Sequence, residues 1–200
     1  MQEEIKIEKL VHGGQGLGTL ANGKRAFVWG VLPGETAAVR IYKKKSSYVE
    51  AVVEEIVSAS SERVAPEGPD EYLSTSPWQI MNYEAENRTK QQILVDIYTH
   101  EKLSPEWQPF YAADQRYGYR NKMEYSFWWD NETNKVSLAL HKRGSHMKFA
   151  LDGSVLASDA INTAGALLVE FINRHHIEAR ALKSAILRSQ RDGAVAIVLY

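Results

Sequence analysis

The residues of this chain best suited to chemistry lie between Arg116 and Lys148. Tyr119-Arg120-Asn121-Lys122-Met123-Glu124-Tyr125-Ser126-Phe127 is followed, about one hairpin later, by His141-Lys142-Arg143-Gly144-Ser145-His146. Seven cations (Arg116, Arg120, Lys122, Lys135, Lys142, Arg143, Lys148) stand against three acids (Glu124, Asp130, Glu132), an excess of four in a chain whose formal net charge is -1. Positive charge is therefore concentrated here. Cations beside exposed aromatics can pair with phosphates and stack on unpaired bases, which suits single-stranded or looped RNA. The same residues also fit a solvated strand face over an aromatic core.

Other chemistries are poorly supported. The chain has no cysteine, which excludes disulfides, thiolate metal sites and a cysteine nucleophile within these 200 residues. His141 and His146 have no third His or carboxylate close in sequence to complete a metal site. His175-His176 follows an apolar helical stripe, where a partly positive imidazole favours the helix C-terminus, and His12 reads as a surface histidine that could also touch RNA. The expectation is no metal.

The elements that must position these residues can be read from periodicity. Met123, Tyr125, Phe127 and Trp129 alternate with Lys122, Glu124, Ser126 and Trp128, so a strand with one buried face is expected. Asp130 to Asn134 forms a turn, and Val136 to Leu140 resumes the alternation as the second strand of an antiparallel hairpin. Ser158 or Asp159 caps a helix with Ile161, Ala164, Leu167, Leu168, Phe171 and Ile172 on the face that packs on the hairpin sheet. A second hairpin spans Ala185 to Tyr200 with its turn at Asp192-Gly193. Arg180, Lys183, Arg188 and Arg191 surround it, as phosphate contacts or as a solvated face.

In the first sixty residues, Ile5 and Ile7 alternate with charges, Asn22-Gly23 marks a hairpin, and Ala26 to Trp29, Thr36 to Tyr42 and Tyr48 to Val57 read as strands. The five short strands suggest a small closed barrel of the oligonucleotide-binding type. Gly14-Gln15-Gly16-Leu17-Gly18 is not a dinucleotide fingerprint, because a strand follows it where a pyrophosphate needs a helix N-terminus. Lys43, Lys44 and Lys45 sit on a connection of this barrel, as an RNA contact or as a charged edge. Ser58 to Glu71 is a polar linker. A helix is expected from Pro77 or Trp78, with Ile80, Tyr83, Asn87, Gln91, Leu94 and Tyr98 on one face, ending before Pro105. The expected fold is α+β: a five-stranded barrel over 1–58, a linker over 59–76, and an α+β domain over 77–200 with antiparallel hairpins and two main helices.

The run from Tyr119 to Phe127 together with His141 to His146 resembles the central domain of the S-adenosylmethionine-dependent RNA uracil-C5 methyltransferases. The segment IEKLVHGGQGLGTLANGKRAFVWGVLPGE resembles the TRAM domain, an RNA-binding barrel that precedes the methyltransferase in that family. The resemblance implies ribosomal or transfer RNA as partner, ribosomal the more expected, with Lys43, Lys44, Lys45, Arg120, Lys122, Lys142, Arg143 and His146 as RNA-binding residues. It implies a reaction in which a thiolate adds to C6 of uracil, C5 takes the cofactor methyl, and a base removes the C5 proton so the thiolate can leave. Many relatives also hold an iron-sulfur cluster on four cysteines. Pro69, Thr75, Trp78 and Ser154 occupy those positions here, and none replaces a thiolate, so no cluster is expected and ordinary packing should fill the volume.

With no cysteine present, these residues are expected neither to bind the cofactor nor to methylate RNA. Relatives continue into a doubly wound cofactor-binding domain, and because Tyr200 interrupts an apolar strand the chain is expected to continue likewise. A stand-alone RNA-binding or chaperone protein is the alternative, and a protein-interaction scaffold a third. No apolar run reaches membrane-spanning length. A cytoplasmic monomer is expected.

Overall fold

The computed structural model describes residues 2–200. By internal contacts the chain divides into two compact units, Met1–Ala113 and Asp114–Tyr200.

The first unit begins with five strands, β1 (Gln2–Leu10), β2 (Gly16–Thr19), β3 (Arg25–Trp29), β4 (Thr36–Lys44) and β5 (Tyr48–Ser58). They close into a barrel in the order β1-β2-β3-β5-β4, antiparallel except for β3 with β5. Alternation sends Ile5, Ile7, Ala26, Val28, Ala37, Val39, Val49 and Ala51 into its core. The glycines of the second strand serve this closure. A Cβ at Gly18 would lie 2.4 Å from the carbonyl oxygen of Lys6, and one at Gly16 the same 2.4 Å from a Val31 methyl. The glycine run thus lets strands approach each other, and no phosphate cradle is needed to explain it.

Two expectations about the following segment are corrected. The long helix starts later than Pro77: Pro77–Ile80 is a 3-10 turn, after the short helix α1 (Tyr72–Thr75), and α2 runs Tyr83–His100. Asn82 caps α2, its side chain accepting from the Ala85 amide at 2.8 Å. The buried face carries Ala85, Glu86 and Ile93, while Leu94 and Tyr98 are exposed. That face packs with Leu10 and Leu32 of the barrel segment and with Ile80 and Met81. Small Ala85 permits the close approach, so residues 77–113 form part of the barrel's compact unit rather than opening a domain at 77.

The second unit is a five-stranded antiparallel sheet in the order β10-β9-β6-β7-β8, from β6 (Lys122–Asp130), β7 (Lys135–His141), β8 (Lys148–Leu151), β9 (Ser184–Ser189) and β10 (Val195–Leu199). Helix α3 (Asp159–Arg174) covers one face, its Ile161, Leu168 and Ile172 packing on Met123, Tyr125, Phe127, Val136, Leu138, Ala185 and Leu187. Ser158 caps it, accepting from the Ile161 amide. The stripe is narrower than expected, since Leu167 and Phe171 are exposed. Gly165 accounts for this: a Cβ there would sit 2.9 Å from a Leu138 methyl, so helix and sheet meet along a tight central line. Trp129, expected on the buried face, is 40% exposed because it lies at the sheet's end beside the hairpin turn.

Candidate nucleic-acid interface

The lysine triplet is placed by β4 and the turn after it. Lys43 and Lys44 close the strand, opposite Glu50 and Val49 of β5, past an irregularity in register, and Lys45 bonds its amide to the Tyr48 carbonyl. Strand β4 therefore extends beyond Tyr42, and only Lys45 lies on the connection.

The three lysines are not equivalent. Lys43 Nζ donates to Glu50 Oε1 at 2.7 Å, and this partner raises its pKa while Lys43 in turn lowers that of Glu50. The second Glu50 oxygen accepts from the Tyr42 hydroxyl, which accepts from the Trp29 indole. Lys43 is thus tied into a hydrogen-bonded chain. Lys44 and Lys45 form no ion-pair contact among the described residues, although the charge of Lys45 also acts on Glu50. A residue that sequence reasoning missed joins them: Lys24 donates to the Lys45 carbonyl at 2.6 Å, which brings the Asn22-Gly23 turn beside the triplet. Elsewhere on the barrel, Lys9, Arg25 and Arg40 each face an acid. The outward aromatics Phe27 and Tyr48 meet edge to face at 5.3 Å on the neighbouring strands. Lys24, Lys44 and Lys45 therefore form a cationic corner without ion-pair contacts among the described residues, next to half-buried aromatic rings, a combination that suits a phosphate backbone with unpaired bases.

In the second unit, the sequence-selected residues fall in two groups. Arg120 is half-buried in the segment before β6, where its amide bonds the Leu156 carbonyl and its own carbonyl accepts from Ser158. This pins the segment to the N-terminus of α3. Lys122 opens β6 and is exposed. Lys142, Arg143 and His146 sit in the turn from β7 to β8, closed by Lys142 N–H to the Met147 carbonyl at 2.8 Å and Ser145 N–H to the Lys142 carbonyl at 3.1 Å. Gly144 has φ +71°, a conformation only glycine takes freely. The strand after this turn, β8, was not anticipated. His141 pairs in register with Lys148 across the turn, so the strand adds Lys148 to the cations of the turn.

The residues that the resemblance aligns with cluster ligands make ordinary contacts. Trp78 packs against the Leu10, Leu32, Ile80 and Met81 group, with the Lys90 ammonium 5.3 Å from its ring. The Thr75 hydroxyl donates to the Glu71 carbonyl, and Pro69 is exposed. Beside them Gln79 is buried and accepts from the Gly68 amide at 3.0 Å. Ser154 is 2% exposed, and its backbone is clasped by Asn162, which accepts from its amide and donates to its carbonyl. This donor set does not fit an iron-sulfur cluster, since no thiolate is available. Among the described residues no three His, Cys, Asp or Glu side chains converge on a metal position, and no helix is long and apolar enough to cross a membrane.

Residues 2–53 match the TRAM domain. An uncharacterized RNA methyltransferase of Thermotoga maritima is 32% identical over 130 residues, 64% of this chain and 29% of its own length. The 23S rRNA (uracil(1939)-C(5))-methyltransferase RlmD of Halomonas elongata is 27% identical over 99% of this chain and 41% of its own length. The chain thus spans less than half the length of these curated relatives. The crystal structure of the Pyrococcus abyssi tRNA (uracil-54, C5)-methyltransferase, in complex with S-adenosyl-L-homocysteine, shares the fold over 98% of this chain and 45% of that one, with a TM-score of 0.65 and 17% identity. A TRAM barrel and a sheet-and-helix unit, with relatives along the whole chain, make this chain similar to the RNA (uracil-C5) methyltransferases.

Proposed function

We propose that this chain is the RNA-recognition part of an S-adenosylmethionine-dependent RNA (uracil-C5) methyltransferase acting in the cytoplasm on ribosomal RNA. Lys44 and Lys45 with the newly placed Lys24 hold phosphates on the barrel, and Arg120, Lys122, Lys142, Arg143 and His146 contact RNA from the second unit. The carrying observation is the division of the barrel's cations: among the described residues four form ion pairs, and of the four that do not, Lys6 stands apart on β1 while Lys24, Lys44 and Lys45 are grouped. The ribosomal choice follows the relative named for 23S rRNA, which aligns over 99% of this chain. The family reaction needs a nucleophilic thiolate, and these 200 residues contain no cysteine. The methyl-transfer centre and the cofactor site therefore belong to a segment other than these residues, which act as a monomer and bind RNA without methylating it.

The test is binding of a ribosomal RNA hairpin followed by fluorescence anisotropy across salt concentrations. Affinity should fall steeply with salt, and the combined Lys44→Ala, Lys45→Ala variant should bind more weakly with a shallower slope. Salt-insensitive binding, or an unchanged double variant, would overturn the assigned barrel surface. Transfer of a labelled methyl group to RNA by these 200 residues would overturn the assignment of catalysis elsewhere.

A further inference from the structure

The sheet of the second unit has two faces, and α3 covers only one. On the other, β6 turns outward Lys122, Glu124, Ser126 and Trp128. The register sets Lys122 directly opposite Arg188 of β9. Both are exposed, and among the described residues neither has an ion-pair partner. Like charges directly opposite each other on antiparallel strands destabilise a sheet. The arrangement becomes favourable when an anion lies between them, and a phosphate can accept from an ammonium and a guanidinium together. Glu124 is the next outward residue of β6 and opposes that preference, so an isolated anion is held less well than one belonging to a longer polyanion.

Trp128 stands at the other end of the same strand and is 41% exposed. Between it and Lys122 the floor is low: Ser126 lies opposite Ala139 of β7, and Trp128 opposite Ser137. Lys148 of β8 reaches over β7 to the Phe127 carbonyl of β6 at 3.4 Å, so it lies across the part of the floor where Ala139 is buried and adds a cation there. Six residue steps of strand separate the indole from the cation pair, about 20 Å at the usual strand rise. That span accommodates several nucleotides. A duplex hides its base faces within its own stack, so an indole of this kind can only receive a base that is already unstacked.

We infer that the sheet face away from α3 is a single-strand platform, on which Trp128 stacks an unpaired RNA base while Lys122 and Arg188 clamp a phosphate several nucleotides away. The inference rests on the RNA-recognition reading and adds to it the ligand's state, unpaired rather than duplex, and two residues, Trp128 and Arg188. Trp129 supplies an internal control: it is the next residue, equally exposed, but turned to the opposite face beside Ala179 and Arg180.

The test uses labelled oligouridine of about ten nucleotides and its duplex with oligoadenine, a length within the range that single-strand sites cover. Oligouridine should bind more tightly than the duplex. Trp128→Ala should weaken oligouridine binding about 5- to 100-fold, Trp128→Phe should restore most of it, and Trp129→Ala should change it less than twofold. Lys122→Ala with Arg188→Ala should flatten the salt dependence by about one unit of logarithmic slope. Circular dichroism confirms that each variant keeps its sheet. If the protein binds RNA but Trp128→Ala matches Trp129→Ala, or the duplex binds as well as the single strand, the platform is wrong and the RNA reading stands. If neither RNA binds at any salt concentration, both are wrong.

Discussion

Replacing Glu35 by Gln tests how the barrel holds the segment that follows it. The Glu35 side chain is wholly buried and Arg63, 21% exposed, is its partner. The carboxylate accepts from Arg63 Nε at 2.6 Å and Nη2 at 2.8 Å, and from the amides of Leu32 at 2.7 Å and Ser60 at 3.1 Å. Arg63 also reaches the Gly30 carbonyl. Burial pushes the Glu35 pKa up, but the Arg63 hydrogen bonds and the two amides outweigh it and hold the group below its ordinary 4.5. Gln keeps one carbonyl for an amide but turns an NH2 toward the guanidinium, donor against donor, and leaves a half-buried cation unpaired. Breaking such a pair costs about 3–5 kcal/mol, and the residual exposure of Arg63 points to about 3. At roughly 4 °C per kcal/mol for a unit of this size, the midpoint falls by about 12 °C. Calorimetry at neutral pH, which can separate the transitions of the two units, measures it. Because the folded-state pKa is depressed, this stabilisation is complete above the unfolded value and is lost as pH falls through the folded one. Wild type should therefore lose stability more steeply below pH 4.5 than Glu35→Gln does. Adding Arg63→Met to Glu35→Gln should cost less than the sum of the two single changes. Unchanged melting, or strict additivity, would refute the assignment.

Three further outcomes are expected. Gly18→Ala should destabilise the first unit by about 2 kcal/mol in urea unfolding, because the new methyl meets the Lys6 carbonyl, which is fixed by pairing of Lys6 with Thr36. Asn173→Ala should cost about 2–4 kcal/mol in the second unit: its side chain accepts from the Val136 amide and donates to the Val136 carbonyl, each at 2.8 Å, and both groups would be orphaned. On the barrel, Lys24→Ala should weaken RNA binding as much as Lys45→Ala, whereas Glu50→Gln, which releases Lys43, should strengthen it; anisotropy titrations at fixed salt decide both.

Local patterns carried much of the fold into view from sequence. The barrel was legible because five short alternating runs are separated by turn formers such as Asn22-Gly23, and the hairpin from Lys122 to Leu140 because alternation is a local property. The helix start was misplaced because Pro77 suits the first position of a helix. Asn82, three residues before Ala85, carried the better capping signal. Strand β8 was missed because four residues, Lys148–Leu151, give too short a run for alternation to register. The platform required information of another kind. Arg188 is 66 positions from Lys122, and only sheet register makes them neighbours; Lys24 likewise reaches the lysine triplet through a contact no spacing rule encodes.

That contrast separates two uses of the same residue types. Arg63, Lys43, Arg25 and Arg40 face carboxylates within the chain, so removing the acid should show in stability for the buried pair and hardly at all for the exposed ones. Lys24, Lys44, Lys45, Lys122 and Arg188 form no ion-pair contact among the described residues, and two of them repel each other across a strand pair. Folding alone gives no reason to set Lys122 against Arg188, so neutralising either should leave the fold as stable or slightly more so. The loss should fall on RNA binding. A variant that gains stability while losing affinity is the signature that distinguishes a binding surface from a solvated face, and Arg188→Gln is the position where both effects can be read in one protein.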